Sequence, residues 1–214
     1  YGESYEYSQK LLQASIKYCS TCHMRTHRGP TFKRWDNFED VTSKWSSKDY
    51  GQFLIATRQF EKASQIMEKG LLSEKLSKNE ADIQLKNLLA VLLKNNLQPG
   101  KAMEILSNKT IQNRHSHLKP EMKKWFRYFK TTKTVDATDL LNKKTSPKMH
   151  FAQAVLVSRE LHKNLSAYLD PLKRAKTFYL LGHIYHSHPE LGFWNLSESY
   201  YEACIQELPG TKLA

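Results

Sequence analysis

Glycine and proline are scarce, 8 and 7 in 214 residues. That favours helices and argues against a turn-rich β-architecture. Cysteine is scarcer still, at 3, so no disulfide framework holds the chain together. No run of eighteen apolar residues exists, which excludes a transmembrane helix read from the sequence. The chain opens Tyr1-Gly2-Glu3-Ser4 without a Met or a signal peptide, as a trimmed, mature chain would. No phosphate-cradling Gly loop, nucleophile elbow or paired-carboxylate site is visible, which argues against an independent hydrolase or transferase. Acids are outnumbered by bases, 21 to 33, for a formal net charge of +12. Apolar content of 40% and charged content of 25% are ordinary for a soluble globular chain, and the length allows one or two domains with a substantial core.

What is present begins with Cys19-Ser20-Thr21-Cys22-His23. Two cysteines three apart with a histidine directly after the second is the spacing for covalent attachment of a c-type haem. Each thiol adds across one vinyl group of the porphyrin, and the turn between them brings the following imidazole beneath the iron as proximal ligand. Cys19 and Cys22 are therefore the candidate attachment residues and His23 the candidate iron ligand. Three other readings stand beside this one. Cys19, Cys22 and His27 with one further ligand could hold zinc. A thioredoxin-like dithiol would need a preceding strand, and residues 5–18 read as a helix instead. The cysteines could also be unmodified and without function.

Tyr5, Leu12 and Ile16 have the spacing of one helix face leading into the cysteines. Gly29-Pro30 follows, with Phe32 two residues on. Residues 33–50 read as loop and short helix whose aromatics, such as Trp45, fill core by default, with packing on a porphyrin edge as the alternative. Residues 49–69 read as one helix stopped by Gly70, and 77–94 as another with a Ser77/Glu80 capping box. A helix, Cys-x-x-Cys-His, Gly-Pro and a later helix opening Leu76-Ser77-x-x-Glu80 together resemble a class I cytochrome c over about residues 5–95. The resemblance implies that the Pro30 carbonyl accepts the Nδ1 proton of His23 and so fixes its tautomer. It also places the distal thioether about ten residues before Leu76-Ser77, at Met67. The chain departs from that family at Leu11, where a glycine is usual, at Ser15, where an aromatic is usual, and around Met67, which has no neighbouring proline. Met103, Met149 and His150 are other candidates for the sixth position, which could also be open.

Asn95–Gly100 reads as a linker, so the expected domains are a cytochrome c-like haem domain, residues 1–96, and a basic helical domain, 97–214. Helices are expected at 101–113, 119–131, 135–144, 148–164, 171–188 and 193–208, and the fold class is all-α. Leu181-Gly182-x-x-Tyr185 with Tyr200, Ala203 and Pro209 is similar to a tetratricopeptide repeat. Gly182 and Ala203 would let two helices approach while Leu181, Tyr185 and Tyr200 fill between them. His162, His183, His186 and His188 lack a metal-ligand spacing and read as surface and packing histidines. His115 and His117 are expected in a solvated basic loop. Between Lys109 and Lys148 lie eleven Lys and Arg against Glu121, Asp136 and Asp139. That stretch is either a solvated face or a patch for an anionic partner.

The function expected is one-electron transfer by covalently held haem c outside the cytoplasm, in the periplasm or a similar compartment, by a carrier rather than an enzyme. Expected partners are a redox protein, acidic in character, a protein docked on the helical domain, and an anionic membrane surface; nucleic acid is not expected. The alternatives are a helical-repeat scaffold whose Cys/His cluster holds zinc or nothing, and a haem sensor or peroxidase with an open iron site.

Overall fold

The computed structural model describes residues 45–132, 135–141, 148–165, 168, 170–191 and 196–209. Every regular element among them is a helix and no strand occurs, so the all-α class holds. Two units can be distinguished. Of the described residues the first contains 45–132, 135 and 150–159, and the second contains 136–141, 148–149, 160–165, 168, 170–191 and 196–209.

In the first unit, Ser46 caps α1 (Ser47–Ala56) by accepting from the Asp49 amide. The expected single helix over 49–69 is two helices. α1 ends at Thr57, and Arg58 takes a left-handed conformation at φ 61°. The Arg58 amide then donates to the Ile55 carbonyl and the Gln59 amide to the Leu54 carbonyl, the pairing of a Schellman stop. Glycine usually holds that position because it has no Cβ to clash. With arginine there, the sequence carries no visible stop. α2 (Phe60–Ser73) follows and runs straight through Gly70, because that glycine is an approach point between helices rather than a cap.

α3 (Lys78–Ala90) begins with the complete Ser77/Glu80 capping box and loosens into a π turn, Val91–Asn95. Asn95–Gly100, expected as a linker, is a tight turn inside this unit. Leu97 is left-handed at φ 53°, and the Gln98 amide returns to the Leu92 carbonyl at 2.8 Å. The expected 101–113 helix is split into α4 (Pro99–Ser107) and α5 (Lys109–Arg114), because the Asn108 side chain caps the second by accepting from the Ile111 amide. α6 (Lys119–Thr131) matches its expected range. α1 packs on α2, α2 on α3, and α4 on both the π turn and α6. Leu71, Leu85 and Leu88 are fully buried among them, each contributing about 1.5–3 kcal/mol.

The second unit holds α7 (Thr138–Leu141), the end of α8 (Phe151–Leu165), α9 (Pro171–Ser187) and α10 (Leu196–Glu207). α9 and α10 form its main packed pair. A Cβ on Gly182 would come within 2.7 Å of the Tyr201 ring, so this glycine sets the approach of the two helices. Leu181, Tyr185 and Tyr200 are buried, and the two tyrosine rings stack at 5.3 Å and 8°. Arg174 and Glu207 pair across the far end at 2.6 Å. The filling expected for residues 181–200 is present, with Tyr201 rather than Ala203 lying over Gly182.

Candidate functional site

Cys19, Cys22, His23, Pro30 and His27 lie outside the described residues. Met67 lies within them, on α2, with no exposed surface. A Cβ on Gly51 would stand 2.6 Å from Met67 Cε and 3.4 Å from its Sδ, so the thioether fills the space left by that glycine where α1 meets α2. Its backbone carbonyl accepts from Gln84 Nε2 at 2.8 Å. An unbranched, polarisable side chain suits this gap. Met103 and Met149 are half-buried. His150 Nδ1 accepts from the Gln153 amide at 3.4 Å, and its ring stands edge-on to Tyr128 at 4.6 Å. Among the described residues no group of three or more His, Cys, Asp or Glu side chains is placed to hold a metal ion.

His117 is exposed as expected, but His115 is not, and residues 114–117 clamp carbonyls of other elements. His115 is only 4% exposed, and its Nε2 bonds the Leu71 carbonyl at 3.0 Å. Arg114 donates to the Ser73 carbonyl at 2.8 Å and the Glu74 carbonyl at 3.3 Å. His117 Nε2 lies 3.2 Å from the Lys78 carbonyl. The last carbonyls of α2 have no partners within their helix, and basic side chains suit that negative end. Nothing in the local composition announces this, because the carbonyls served are about forty residues away. Replacing His115 with Phe keeps the ring but leaves the Leu71 carbonyl unsatisfied. The expected loss is about 1–3 kcal/mol, read as a shift of the urea midpoint.

The second unit holds a buried polar cluster. His162 Nε2 is 2.8 Å from the Tyr185 hydroxyl and 3.3 Å from the Tyr200 hydroxyl. Burial, with Tyr185 beside it, pushes the Tyr200 phenol well above its ordinary range, so it remains protonated at physiological pH. Burial, then the neighbouring His186 and His188, lower the His183 imidazole. His188 bonds the Met149 carbonyl at 2.9 Å. The Cys204 thiol is buried, raised by desolvation and so poorly suited to nucleophilic work.

Lys94, in the π turn, was not singled out by sequence. Burial lowers its ammonium from 10.5 to about 7. Lys94 is half-buried; below pH 7 both folded and unfolded chains hold the proton, and the desolvation that lowers this ammonium opposes folding in full. Between about 7 and 10.5 the unfolded chain keeps the proton and the folded one releases it, so stability rises with pH across that interval. Lys94→Met is expected to raise the Tm most at about pH 6 and to remove this lysine's share of the rise. Thermal melts across the pH series check both points.

No family model, curated protein or solved structure matches this chain.

Proposed function

We propose that the chain carries a covalently attached c-type haem and transfers single electrons in an extracytoplasmic compartment. The observation behind the reading is the donor set itself. Cys19 and Cys22 supply two thiols at the attachment spacing, and His23 supplies an imidazole directly after them. In this reading Cys19 and Cys22 hold the porphyrin, His23 binds the iron, and the Pro30 carbonyl holds the His23 Nδ1 proton, fixing the tautomer that leaves Nε2 for the metal. The bound group would supply a one-electron couple. Met67 stays as the candidate for the sixth position on the cytochrome resemblance. The sensor or peroxidase alternative leaves that position open. The proposed parts are a haem-binding part at Cys19–His23 and a tetratricopeptide-like docking part at α9 and α10, with an acidic redox protein as a partner.

A second reading has its own observation. α9 and α10 meet at Gly182 against Tyr201 and stack Tyr185 on Tyr200, a hairpin of the kind that binding scaffolds repeat. In this reading the helices bind a protein partner and Cys19 and Cys22 hold zinc or nothing. Intact mass and the visible spectrum of reduced protein, produced with haem-maturation machinery, separate the two. Covalent mass beyond the polypeptide with a haem spectrum supports the electron carrier; a colourless chain of polypeptide mass supports the scaffold. A high-spin reduced spectrum that shifts with carbon monoxide would indicate an open iron site.

A further inference from the structure

α6 carries its charge on one side. Lys119, Lys123, Lys124, Arg127 and Lys130 are all exposed. At about 100° per residue they occupy an arc of about 140°, and Glu121, the only acid of the helix, lies outside it. Met122 and Trp125 are buried on the opposite side. Phe126 and Tyr128, both half-buried, border the arc. Among the described residues no carboxylate forms an ion pair with any of the five cations, whereas Lys86, Lys101 and Arg174 each have one. Lys119 and Lys123, and Lys123 and Arg127, are like charges four residues apart, a spacing that weakens a helix. The arrangement works against the helix, so the fold alone gives no reason for it.

We infer that this face of α6 docks reversibly on an anionic lipid surface. Five clustered cations fall in the range that recognises acidic phospholipid headgroups. Four of the five are lysines, strongly hydrated point charges suited to diffuse headgroups rather than to the planar, bidentate contacts that arginine makes. The centre of the face is charged. A protein interface generally has an apolar centre depleted of lysine, so a folded acidic partner fits less well. Phe126 and Tyr128 stand at the edges, where aromatic rings favour the headgroup layer. The apolar side of the helix is committed to the core, and no helix among the described residues is long and apolar enough to cross a membrane. Docking through α6 is therefore superficial and sensitive to salt. The inference rests on α6 alone and is independent of the porphyrin.

The test sediments the full chain with phosphatidylcholine vesicles, either pure or containing about a third phosphatidylserine. Binding is expected only to the anionic vesicles, with release at about 0.5 M salt. Lys119→Gln/Lys123→Gln/Arg127→Gln is expected to weaken binding about a hundredfold, roughly fivefold per cation, with a melting temperature equal to or above that of the parent. Lys69→Gln/Lys75→Gln/Lys78→Gln removes the same charge from other exposed positions and should keep most of the binding. Equal losses in the two triple variants would reduce the effect to net charge and overturn the proposal. So would absent binding to anionic vesicles, or preference for an acidic peptide or single-stranded nucleic acid over vesicles at equal anionic charge. Haem-free protein is expected to bind equally, which separates this result from any failure of the haem reading.

Discussion

Gly70→Ala is expected to destabilise the first unit by about 3 kcal/mol, although alanine is the better helix former by about 1 kcal/mol. The reason lies in what surrounds a mid-helix glycine on α2. A Cβ there would overlap Ser47 Oγ, at the start of α1, and Gln84 Nε2, on α3. Both neighbours are buried, at 5% and 0% exposure, and both are committed. Ser47 Oγ lies 2.9 Å from Glu74 Oε2 and 3.0 Å from Gln84 Oε1, while Gln84 Nε2 donates to the Met67 carbonyl at 2.8 Å. Steric displacement costs about 1–3 kcal/mol, and each buried polar group stranded by it about 1–3 kcal/mol more, so strain outweighs propensity. Gly51→Ala is the comparison. Its Cβ would meet the Met67 side chain at Cγ as well as Cε; that chain is flexible where Ser47 and Gln84 are tied by hydrogen bonds, so the expected cost is smaller, about 1 kcal/mol. Urea denaturation of both variants checks the order. Ser47→Gly added to Gly70→Ala should recover part of the loss by removing one overlapping side chain. A neutral Gly70→Ala would mean that α1 does not seat on α2 as described.

Gly70 also shows where a sequence can be read and where it cannot. A glycine after an apolar helical pattern is a good local stop signal, yet this one answers to Ser47 and Gln84, which are distant along the chain. Arg58 is the reverse case. The helix stops there through backbone bonds to Ile55 and Leu54, with none of the residue types that usually mark a stop. Local signals with local causes were legible: Ser77 with Glu80 at the start of α3 and the range of α6; the filling by Leu181, Tyr185 and Tyr200 was legible too, but not Tyr201, which takes the place over Gly182 expected for Ala203. His115 was misplaced because its neighbours in sequence are basic and polar, while its partner in space is the carbonyl end of α2. The Cys19–His23 motif is also a local pattern, and the haem chemistry proposed for it rests on that spacing alone. The surroundings of Met67 depend on three helices meeting, and no spacing rule contains them.

Loss of the pigment in Cys19→Ser plus Cys22→Ser is expected to be complete as judged by covalent mass. A thioether to each vinyl group is the only bond in the proposed site that survives unfolding and acid-acetone extraction. An imidazole from His23 can hold iron in the folded state, but it protonates and releases in acid. The double variant should therefore weigh only as much as its polypeptide. A single variant should keep one thioether and retain pigment after extraction. Met67→Leu then separates ligation from packing. The swap nearly conserves volume and costs less than about 1.5 kcal/mol in a core position. With the thioether held over Gly51, packing predicts an unchanged reduced spectrum and a small shift in urea midpoint. Ligation predicts a change from low to high spin, because leucine has no lone pair to offer the iron. Pigment retained covalently by the double variant would place the attachment somewhere other than these two cysteines.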